Sequence, residues 1–132
     1  MLKNQRIAII GAGNIAEALV SGLLQCQVAQ PSQIFATDIS SERLRHFETR
    51  YGVRVGSNNV EAVKGATVVI LCVKPQVLDQ VLAELKFSGR TQPLIISVVA
   101  GISIARIQAG LKWKASIIRV MPKSNQIPTP FI

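Results

Sequence analysis

The chain has 132 residues, enough for one domain that buries roughly two-thirds of the surface its unfolded form exposes. Its hydrophobic content is 48%, and no apolar run approaches the ~20 residues that span a bilayer, which predicts a soluble globular protein without a membrane partner. The formal net charge of +8 is compatible with nucleic-acid binding, but the basic residues are dispersed singly, so no nucleic-acid partner is predicted.

The charge is distributed unevenly along the chain. All seven acidic residues lie at or before Glu84. Seven basic residues follow with no acid among them, namely Lys86, Arg90, Arg106, Lys112, Lys114, Arg119 and Lys123. This asymmetry has two interpretations. Either a partner in another segment or subunit balances the positive charge, or the basic residues form a solvated face.

The amino terminus and the cysteines indicate a cytoplasmic protein. Residues 1–6 lead directly into an apolar run, with neither the hydrophobic segment nor the cleavage site of a signal peptide. Cys26 and Cys72 are expected to be reduced thiols with a structural role. His46 is the only histidine and no Cys-x-x-Cys occurs, so no metal site is predicted.

The first stretch of the chain is the most informative. Ile7 to Ile10 has no polar alternation, which predicts a strand covered on both faces, as in a parallel sheet. The pattern Gly11-x-Gly13-x-x-Ala16 follows at once. A helical apolar stripe comes next, formed by Ile15, Leu19, Gly22 and Leu23. This succession of strand, glycine turn and helix matches the dinucleotide-binding fingerprint.

Each small residue of the fingerprint has an expected role. Gly11 permits the tight turn, Gly13 lets the backbone approach a pyrophosphate, and Ala16 keeps the helix close to the strand. The first free N–H groups of the helix then face the anion.

The remaining chain alternates predicted strands and helices. Five further strands are predicted at Ile34–Thr37, Val53–Val55, Thr67–Val73, Leu94–Val99 and Ser116–Val120. Four helices are predicted between them. The first follows Ser40-Ser41 and carries Leu44 and Phe47 on one face, the second runs from Asn58 to about Gly65, and the third begins at Lys74-Pro75-Gln76. The fourth follows Ser103 and carries Ile104, Ile107 and Leu111. This alternation requires right-handed crossovers and a parallel sheet.

The predicted fold is therefore a Rossmann-type doubly wound α/β domain with three layers and about six strands in the order 3-2-1-4-5-6. Residues 1–122 form the domain, and residues 123–132, with two prolines and no periodicity, form an irregular tail.

Ligands in such sheets bind beyond the carboxyl ends of the strands. The segments expected to surround one crevice are the Gly11–Ala16 turn, Asp38, Asn58-Asn59, Cys72–Pro75 and Val98–Gly101. No set of Ser, His and Asp is predicted, because His46 falls on a solvent-side helix. Cys72 has no neighbouring base in sequence, so a nucleophilic role is not predicted.

Three of these residues have alternative interpretations. Asp38 accepts hydrogen bonds from an adenosine ribose, or it is a helix N-terminal acid. Asn59 donates to a ribose or phosphate, or it caps its own helix. Lys74 neutralises phosphate charge, or it is only solvated.

The form of the cofactor also stays open at this point. Asp38 favours a free 2′-hydroxyl over a 2′-phosphate through like-charge repulsion, whereas Ser40, Ser41 and Arg43 could surround a phosphate if Asp38 turned aside.

Together these motifs resemble the amino-terminal dinucleotide-binding domain of pyrroline-5-carboxylate reductases. The resemblance covers about residues 5–122 and rests on Ile9–Leu19, Asn59–Val63, Val73–Gln76, Ser97–Ile104 and Arg119–Pro122. It implies an oxidoreductase of proline biosynthesis that uses NADPH or NADH to deliver a hydride to the C=N bond of 1-pyrroline-5-carboxylate.

The resemblance also implies which residues hold the cofactor. These are Ile10, Gly11, Ala12, Gly13, Asn14, Ile15, Asp38, Asn59, Cys72, Val73, Lys74, Pro75, Val98, Val99 and Ala100. No catalytic residue is implied within this sequence, because orientation of ring and substrate supplies most of the acceleration of imine reduction.

The sequence departs from the family at two places. Lys123-Ser124-Asn125 stands where the family has Asn-Thr-Pro, and Val99 stands where alanine is common, which is expected to crowd the nicotinamide loop. The family's helical second domain, which makes the dimer and holds substrate, is not in the sequence. The chain alone is therefore expected to be inactive, and whether it is an excised domain, a frameshift product or a native short protein stays open.

Three hypotheses follow. The chain is the cofactor domain of a pyrroline-5-carboxylate reductase; or a non-catalytic nucleotide-binding module or cofactor domain of a related NADP or deazaflavin oxidoreductase; or, from its charge, a nucleic-acid binder. The sequence favours the first.

Overall fold

The six predicted strands form one parallel sheet in the order β3-β2-β1-β4-β5-β6, as expected. The structure, a computed structural model, describes residues 3–87 and 92–120. The strands are β1 (Ile7–Ile10), β2 (Ile34–Thr37), β3 (Arg54–Gly56), β4 (Val68–Leu71), β5 (Leu94–Ser97) and β6 (Ser116–Arg119). The helices are α1 (Asn14–Gln25), α2 (Ser41–Tyr51), α3 (Asn59–Val63), α4 (Leu78–Glu84) and α5 (Ile104–Leu111).

Strand β1 lies at the centre of the sheet because it is apolar at every position. All four of its residues are buried. It pairs with β2 on one side and β4 on the other, so that Ile7 lies beside both Ile34 and Val68. A strand covered on both faces needs an unbroken apolar run, which is the pattern that the sequence shows.

Helices cover both faces of the sheet and enclose two cores. One core includes Ala8 and Ile10 of β1 with Leu78 and Leu82 of α4. The other includes Ile7 and Ile9 with residues of α1 and α2. Successive residues of a strand point to opposite faces, so one four-residue strand supplies both cores.

The helix caps agree with the predictions. The side chains of Ser40, Asn58 and Ser103 accept hydrogen bonds from the backbone N–H groups of Arg43, Glu61 and Arg106 respectively. Gly52 ends α2 in a left-handed conformation with φ of 71°. These residues fix where the helices begin and end.

In two helices the most buried residues differ from part of the predicted apolar set. In α1 the buried residues are Ala16, Val20 and Ser21, whereas the predicted stripe is only partly buried. The small Ala16 brings the helix close to the sheet, so the larger leucines lie at its flanks. In α5, Ile107 and Leu111 are buried but Ile104 is 46% exposed, because it occupies the first turn beyond the edge of the core.

Strand and helix bounds also shift slightly. Strand β3 begins at Arg54 rather than at Val53, and β5 ends at Ser97, which leaves Val98 and Val99 in the following loop. The strand predicted over Thr67–Val73 is limited to Val68–Leu71, and a short 3-10 turn at Pro75–Val77 precedes α4. The predicted tail lies outside the described residues. Within the described part of the chain, no helix has the length and apolar character needed to cross a membrane.

Candidate cofactor site

The predicted crevice segments all follow the carboxyl ends of strands. The glycine turn (Gly11–Gly13) joins β1 to α1 at the point where the strand order reverses. Asp38 follows β2, residues 72–75 follow β4, and residues 98–100 follow β5. Asn59 begins α3, which packs against β1 and β2. The topology therefore brings the predicted residues to one edge of the sheet.

Gly11 is required by the protein's own packing. Its φ is +102°, and a Cβ built on it would lie 2.8 Å from the carbonyl oxygen of Cys72. The Gly11 N–H donates to the Thr37 carbonyl at 2.9 Å, and the Cys72 N–H donates to the Ile10 carbonyl at 2.8 Å. The turn is thus held against the ends of β2 and β4, where no side chain fits.

Gly13 differs, because a Cβ built on it would meet no heavy atom of the described residues within 4 Å. Gly13 is the N-cap residue of α1, and no side chain in the described part of the chain caps that helix. The first N–H groups of α1 consequently border open space, with the positive end of the helix dipole behind them. This arrangement fits a diphosphate, which would approach a backbone that carries no side chain.

Asp38 ties the loop after β2 to the glycine turn. Its Oδ2 accepts from the Ala12 N–H at 2.8 Å, and its Oδ1 accepts from the Ser40 N–H at 2.9 Å. The helix cap is Ser40, so Asp38 does not serve as the N-cap of α2. Each carboxylate oxygen keeps capacity to accept another hydrogen bond, as a ribose hydroxyl requires.

Arg43 holds the same turn from the side of α2. Its Nε donates to the Ala12 carbonyl at 2.7 Å, and its Nη2 donates to the Gly13 carbonyl at 3.3 Å. The same Nη2 lies 2.8 Å from Glu17 Oε1. The Asp38 carboxylate and the Arg43 guanidinium therefore hold the two backbone groups of Ala12, its N–H and its carbonyl.

Glu17 is the centre of a polar cluster that sequence reasoning missed. Besides Arg43, His46 Nε2 lies 2.8 Å from its Oε2, and the Tyr51 hydroxyl donates to Oε2 at 2.7 Å. Partial burial by itself raises the pKa of Glu17, but these hydrogen bonds lower that pKa to about 2. The same burial and the bond to Glu17 raise the pKa of Tyr51.

His46 thus lies between two helices rather than on a purely solvent-side face, with its side chain 41% exposed. Glu17 and His46 are 29 positions apart on different helices, so no local pattern joins them.

Asn59 is oriented by two residues, Thr37 and Glu84, that belong to no recognisable sequence motif. The Thr37 hydroxyl donates to Asn59 Oδ1 at 2.6 Å, and Asn59 Nδ2 donates to Glu84 Oε2 at 3.2 Å. Asn58, not Asn59, caps α3. Of the two interpretations of Asn59, capping is therefore wrong, and one amide hydrogen stays available to a ligand.

The loops after β4 and β5 present both backbone and exposed side chains. Lys74 and Pro75 are exposed, as is Ala100. Burial raises the pKa of the Cys72 thiol to about 12, which agrees with a structural rather than a nucleophilic role. Val99 is 2% exposed and packs in the core, so its side chain does not crowd the loop as expected. Within the described residues, no cluster of His, Cys, Asp and Glu suits a metal ion.

A parallel sheet of this order, with a glycine turn at its switch point, defines a dinucleotide-binding class of fold. The model of the family described as "NADP oxidoreductase coenzyme F420-dependent" matches residues 6–101, and the chain belongs to that family. The chain is also 41% identical over 119 residues to a pyrroline-5-carboxylate reductase from Synechocystis, covering 90% of this chain and 44% of that protein.

Solved structures agree. A pyrroline-5-carboxylate reductase from Coxiella burnetii superposes with a TM-score of 0.87 at 32% identity, covering 95% of this chain and 46% of that one. Plasmodium falciparum pyrroline carboxylate reductase with NADP bound superposes with a TM-score of 0.80 at 20% identity. The match covers 96% of this chain and 45% of that one, and it shows that the two share a fold. The resemblance drawn from sequence is confirmed, and the chain spans less than half the length of the relatives it matches.

Proposed function

We propose that this chain is the NADPH- or NADH-binding domain of a cytoplasmic pyrroline-5-carboxylate reductase. The observation that supports the proposal most directly is the uncapped start of α1 beside open space at Gly13. Family membership and the similarity to pyrroline-5-carboxylate reductases supply the chemistry, which is reduction of the C=N bond of 1-pyrroline-5-carboxylate.

In the proposed complex, the first N–H groups of α1 hold the diphosphate and Asp38 accepts from the adenosine ribose. Ile39, which is 98% exposed directly after Asp38, offers an apolar surface for the adenine. The free amide hydrogen of Asn59 reaches toward a ribose, because Thr37 and Glu84 fix the orientation of that side chain.

The loops after β4 and β5 would hold the nicotinamide half. Pro75 fixes the bend after Lys74, and the backbone of residues 72–74 and 98–100 lines the ring. The nicotinamide supplies the hydride when it is bound, and these residues present its reactive face to the substrate. The Val98 and Val99 side chains are buried, so their proposed contacts are made by backbone atoms.

The form of the cofactor depends on a balance between two side chains. The Asp38 carboxylate, which accepts from the Ala12 N–H, repels a 2′-phosphate, whereas the Arg43 guanidinium, which donates to the Ala12 carbonyl, attracts one. Family membership favours NADPH, and we propose that Arg43 offsets Asp38 when NADPH binds.

We further propose that the chain alone binds the dinucleotide but forms little proline. No residue of the chain is assigned to the substrate carboxylate, and the relatives are about twice as long. Substrate binding and any homo-oligomer would then depend on the rest of such a protein.

The test has two stages. Calorimetric titration of the 132-residue chain should show one site for NADPH or NADH, and a coupled assay should show no appreciable proline formation. Joining the chain to the second half of the Coxiella burnetii relative should restore proline formation. Dinucleotide binding without activity in that fusion would instead support a non-catalytic nucleotide-binding module, and absence of dinucleotide binding would overturn the proposal.

A further inference from the structure

A cavity lies at the opposite end of the sheet from the glycine turn. It has a volume of about 540 Å³ and opens where β1, β2 and β3 begin, beside the end of α3. Its lining includes the basic side chains of Arg6, Arg54 and Lys64 and the acidic side chain of Glu61. This volume is typical of small-molecule sites.

The Arg54 side chain is held in place by stacking. Its guanidinium lies 4.6 Å from the centroid of the Phe35 ring. The ring needs the glycine at position 56, since a Cβ there would lie 3.2 Å from Phe35 Cε1. This cation–π contact positions the guanidinium over the ring and leaves its N–H groups available to an oxyanion.

Arg6 and Lys64 supply two further positive charges to the lining. Arg6 Nη1 lies 3.7 Å from the position of a Cβ on Gly65, whose φ of +80° favours glycine. Lys64 is the C-cap residue that follows α3. Within the described residues, none of the three cations forms an ion pair or donates a side-chain hydrogen bond.

Three positive charges against the one negative charge of Glu61 leave an excess of two. Cations that share a cavity without acidic partners repel one another, and an anion relieves that repulsion. Guanidinium groups match phosphate oxygens in geometry. Phe35 is 8% exposed and already covered by Arg54, so the cavity offers no free aromatic face for a base.

We propose that this amino-edge cavity, defined by Arg6, Arg54, Lys64 and Glu61, binds a compact dianion of the phosphate-ester or diphosphate type. The site is separate from the dinucleotide crevice, because it lies at the amino ends of the strands. A metabolite carrying such a group could therefore occupy it while the crevice holds its own ligand.

Pyrophosphate is the probe, added to the 132-residue chain in the presence of saturating NADPH. Backbone amide shifts followed by NMR should move at Phe35, Arg54 and Gly65 and stay unchanged at Gly13 and Asn14. Shifts confined to the glycine turn, or no shift at millimolar pyrophosphate, would overturn the proposal.

Two double variants distinguish binding at this cavity from nonspecific attraction to the positive charge of the chain. Arg54→Gln with Lys64→Gln should weaken pyrophosphate binding at least about tenfold, since charge-assisted hydrogen bonds are lost. Lys114→Gln with Arg119→Gln removes the same charges from exposed positions outside the cavity and should leave the affinity unchanged. Equal weakening by both pairs would contradict the proposal.

The Glu61→Gln variant tests the site independently, because it changes pyrophosphate affinity without removing a basic side chain. Removing the lone acid should tighten pyrophosphate binding several-fold, roughly as expected for one like charge near a solvent-exposed anion. Unchanged or weaker binding by this variant would count against the site. A ten-nucleotide RNA that binds more tightly than pyrophosphate and is weakened alike by both double variants would assign the charge to nucleic acid and overturn the proposal.

Discussion

At the scale of single residues, the two glycines of the first turn serve different needs. Gly11 is demanded by the fold, since its conformation and the nearby Cys72 carbonyl exclude a side chain. Among the described residues, no heavy atom lies within 4 Å of a Cβ built on Gly13, so their packing does not require glycine there. The fingerprint identifies both positions, but only the packing distinguishes the structural glycine from the one proposed to face a ligand.

Gly11→Ala should therefore destabilise the domain by about 2–4 kcal/mol, because strain at positive φ adds to a backbone clash. Gly52→Ala is the matched control, with φ of +71° but its nearest contact at 3.9 Å. That variant should lose only about 1 kcal/mol, the conformational cost alone. Urea denaturation measures both, and equal losses would show that the Cys72 contact is unimportant.

Asp38→Asn should change which dinucleotide is preferred. Removing the negative charge should raise the ratio of NADPH to NADH affinity roughly tenfold, since a like charge near the 2′-phosphate is lost. The NADPH to NADH affinity ratio is measured because the amide of the Asp38→Asn variant also disturbs the hydrogen bonds to Ala12 and Ser40. That disturbance changes the affinity for both dinucleotides alike. Glu42→Gln is an exposed control in the same helix start. An unchanged ratio in Asp38→Asn would place Asp38 away from the ribose 2′ position.

The side-chain partners of the site were beyond sequence reasoning. Asp38 could be placed because strand ends in this topology converge on one edge. Thr37 and Glu84 could not be linked to Asn59, because they lie 22 and 25 positions from it on other elements. Contacts between distant elements leave no periodic signal in the chain.

At the scale of elements, the Glu17 cluster joins α1 to α2. One carboxylate of α1 accepts from three side chains of α2, namely Arg43, His46 and Tyr51. Arg43 continues the connection to the glycine turn. The cluster thus couples helix packing to the geometry of the candidate cofactor site.

Glu17→Gln should lower the free energy of unfolding by about 1–2 kcal/mol at neutral pH, a figure discounted for solvent screening of a side chain that is 26% exposed. The folded pKa of about 2 lies below the ordinary value of 4.5, so the stabilisation is complete above pH 4.5 and is lost as the pH falls towards 2. The difference between wild type and variant should therefore shrink over that range.

Denaturant titrations at neutral and acidic pH measure this difference, with Glu48→Gln as the control because Glu48 is an exposed acid of α2. A Glu17→Gln difference that does not depend on pH would contradict the role assigned to the ionised carboxylate.

The types and the order of the strands and helices were predictable because the hydrophobic periodicity and the capping and turn residues indicate the same elements along the chain. Apolar runs without alternation gave the buried strands, and Ser40, Asn58 and Ser103 marked helix starts. The inward face of α1 was less predictable, since Ala16 and Val20 are smaller than the leucines beside them. Hydrophobicity alone ranks the larger residues first, whereas close packing against a sheet selects the smaller ones.

At the scale of the whole molecule, the strand order follows from right-handed crossovers and therefore from the alternation of elements. The same order places the proposed dinucleotide crevice at one edge of the sheet and the amino-edge cavity at the other. The segments that surround the proposed crevice carry motifs that sequence reasoning could find. The cavity was not, because Arg6, Arg54 and Lys64 are dispersed in sequence and meet only in the fold.

The uneven distribution of charge along the chain agrees with both interpretations, a balancing partner elsewhere and a solvated basic face. Among the described basic residues after Glu84, Arg106 forms an ion pair with Asp79 at 3.1 Å on an exposed surface. Such a pair adds little stability.

The central claim is that the open start of α1 receives the diphosphate of a nicotinamide dinucleotide. A Cβ on Gly13 meets no described heavy atom within 4 Å, so Gly13→Val should lower the free energy of unfolding by no more than about 1 kcal/mol, the cost of a poorer N-cap. Gly22→Val is the control, because Gly22 lies later in the same helix and its built Cβ likewise meets no described atom within 4 Å.

Calorimetric titration with NADPH is the deciding measurement. The account predicts that Gly13→Val weakens NADPH binding at least about a hundredfold while Gly22→Val leaves it unchanged, since a side chain displaces several hydrogen bonds to the diphosphate. NADPH affinity as high in folded Gly13→Val as in the wild-type chain would contradict it.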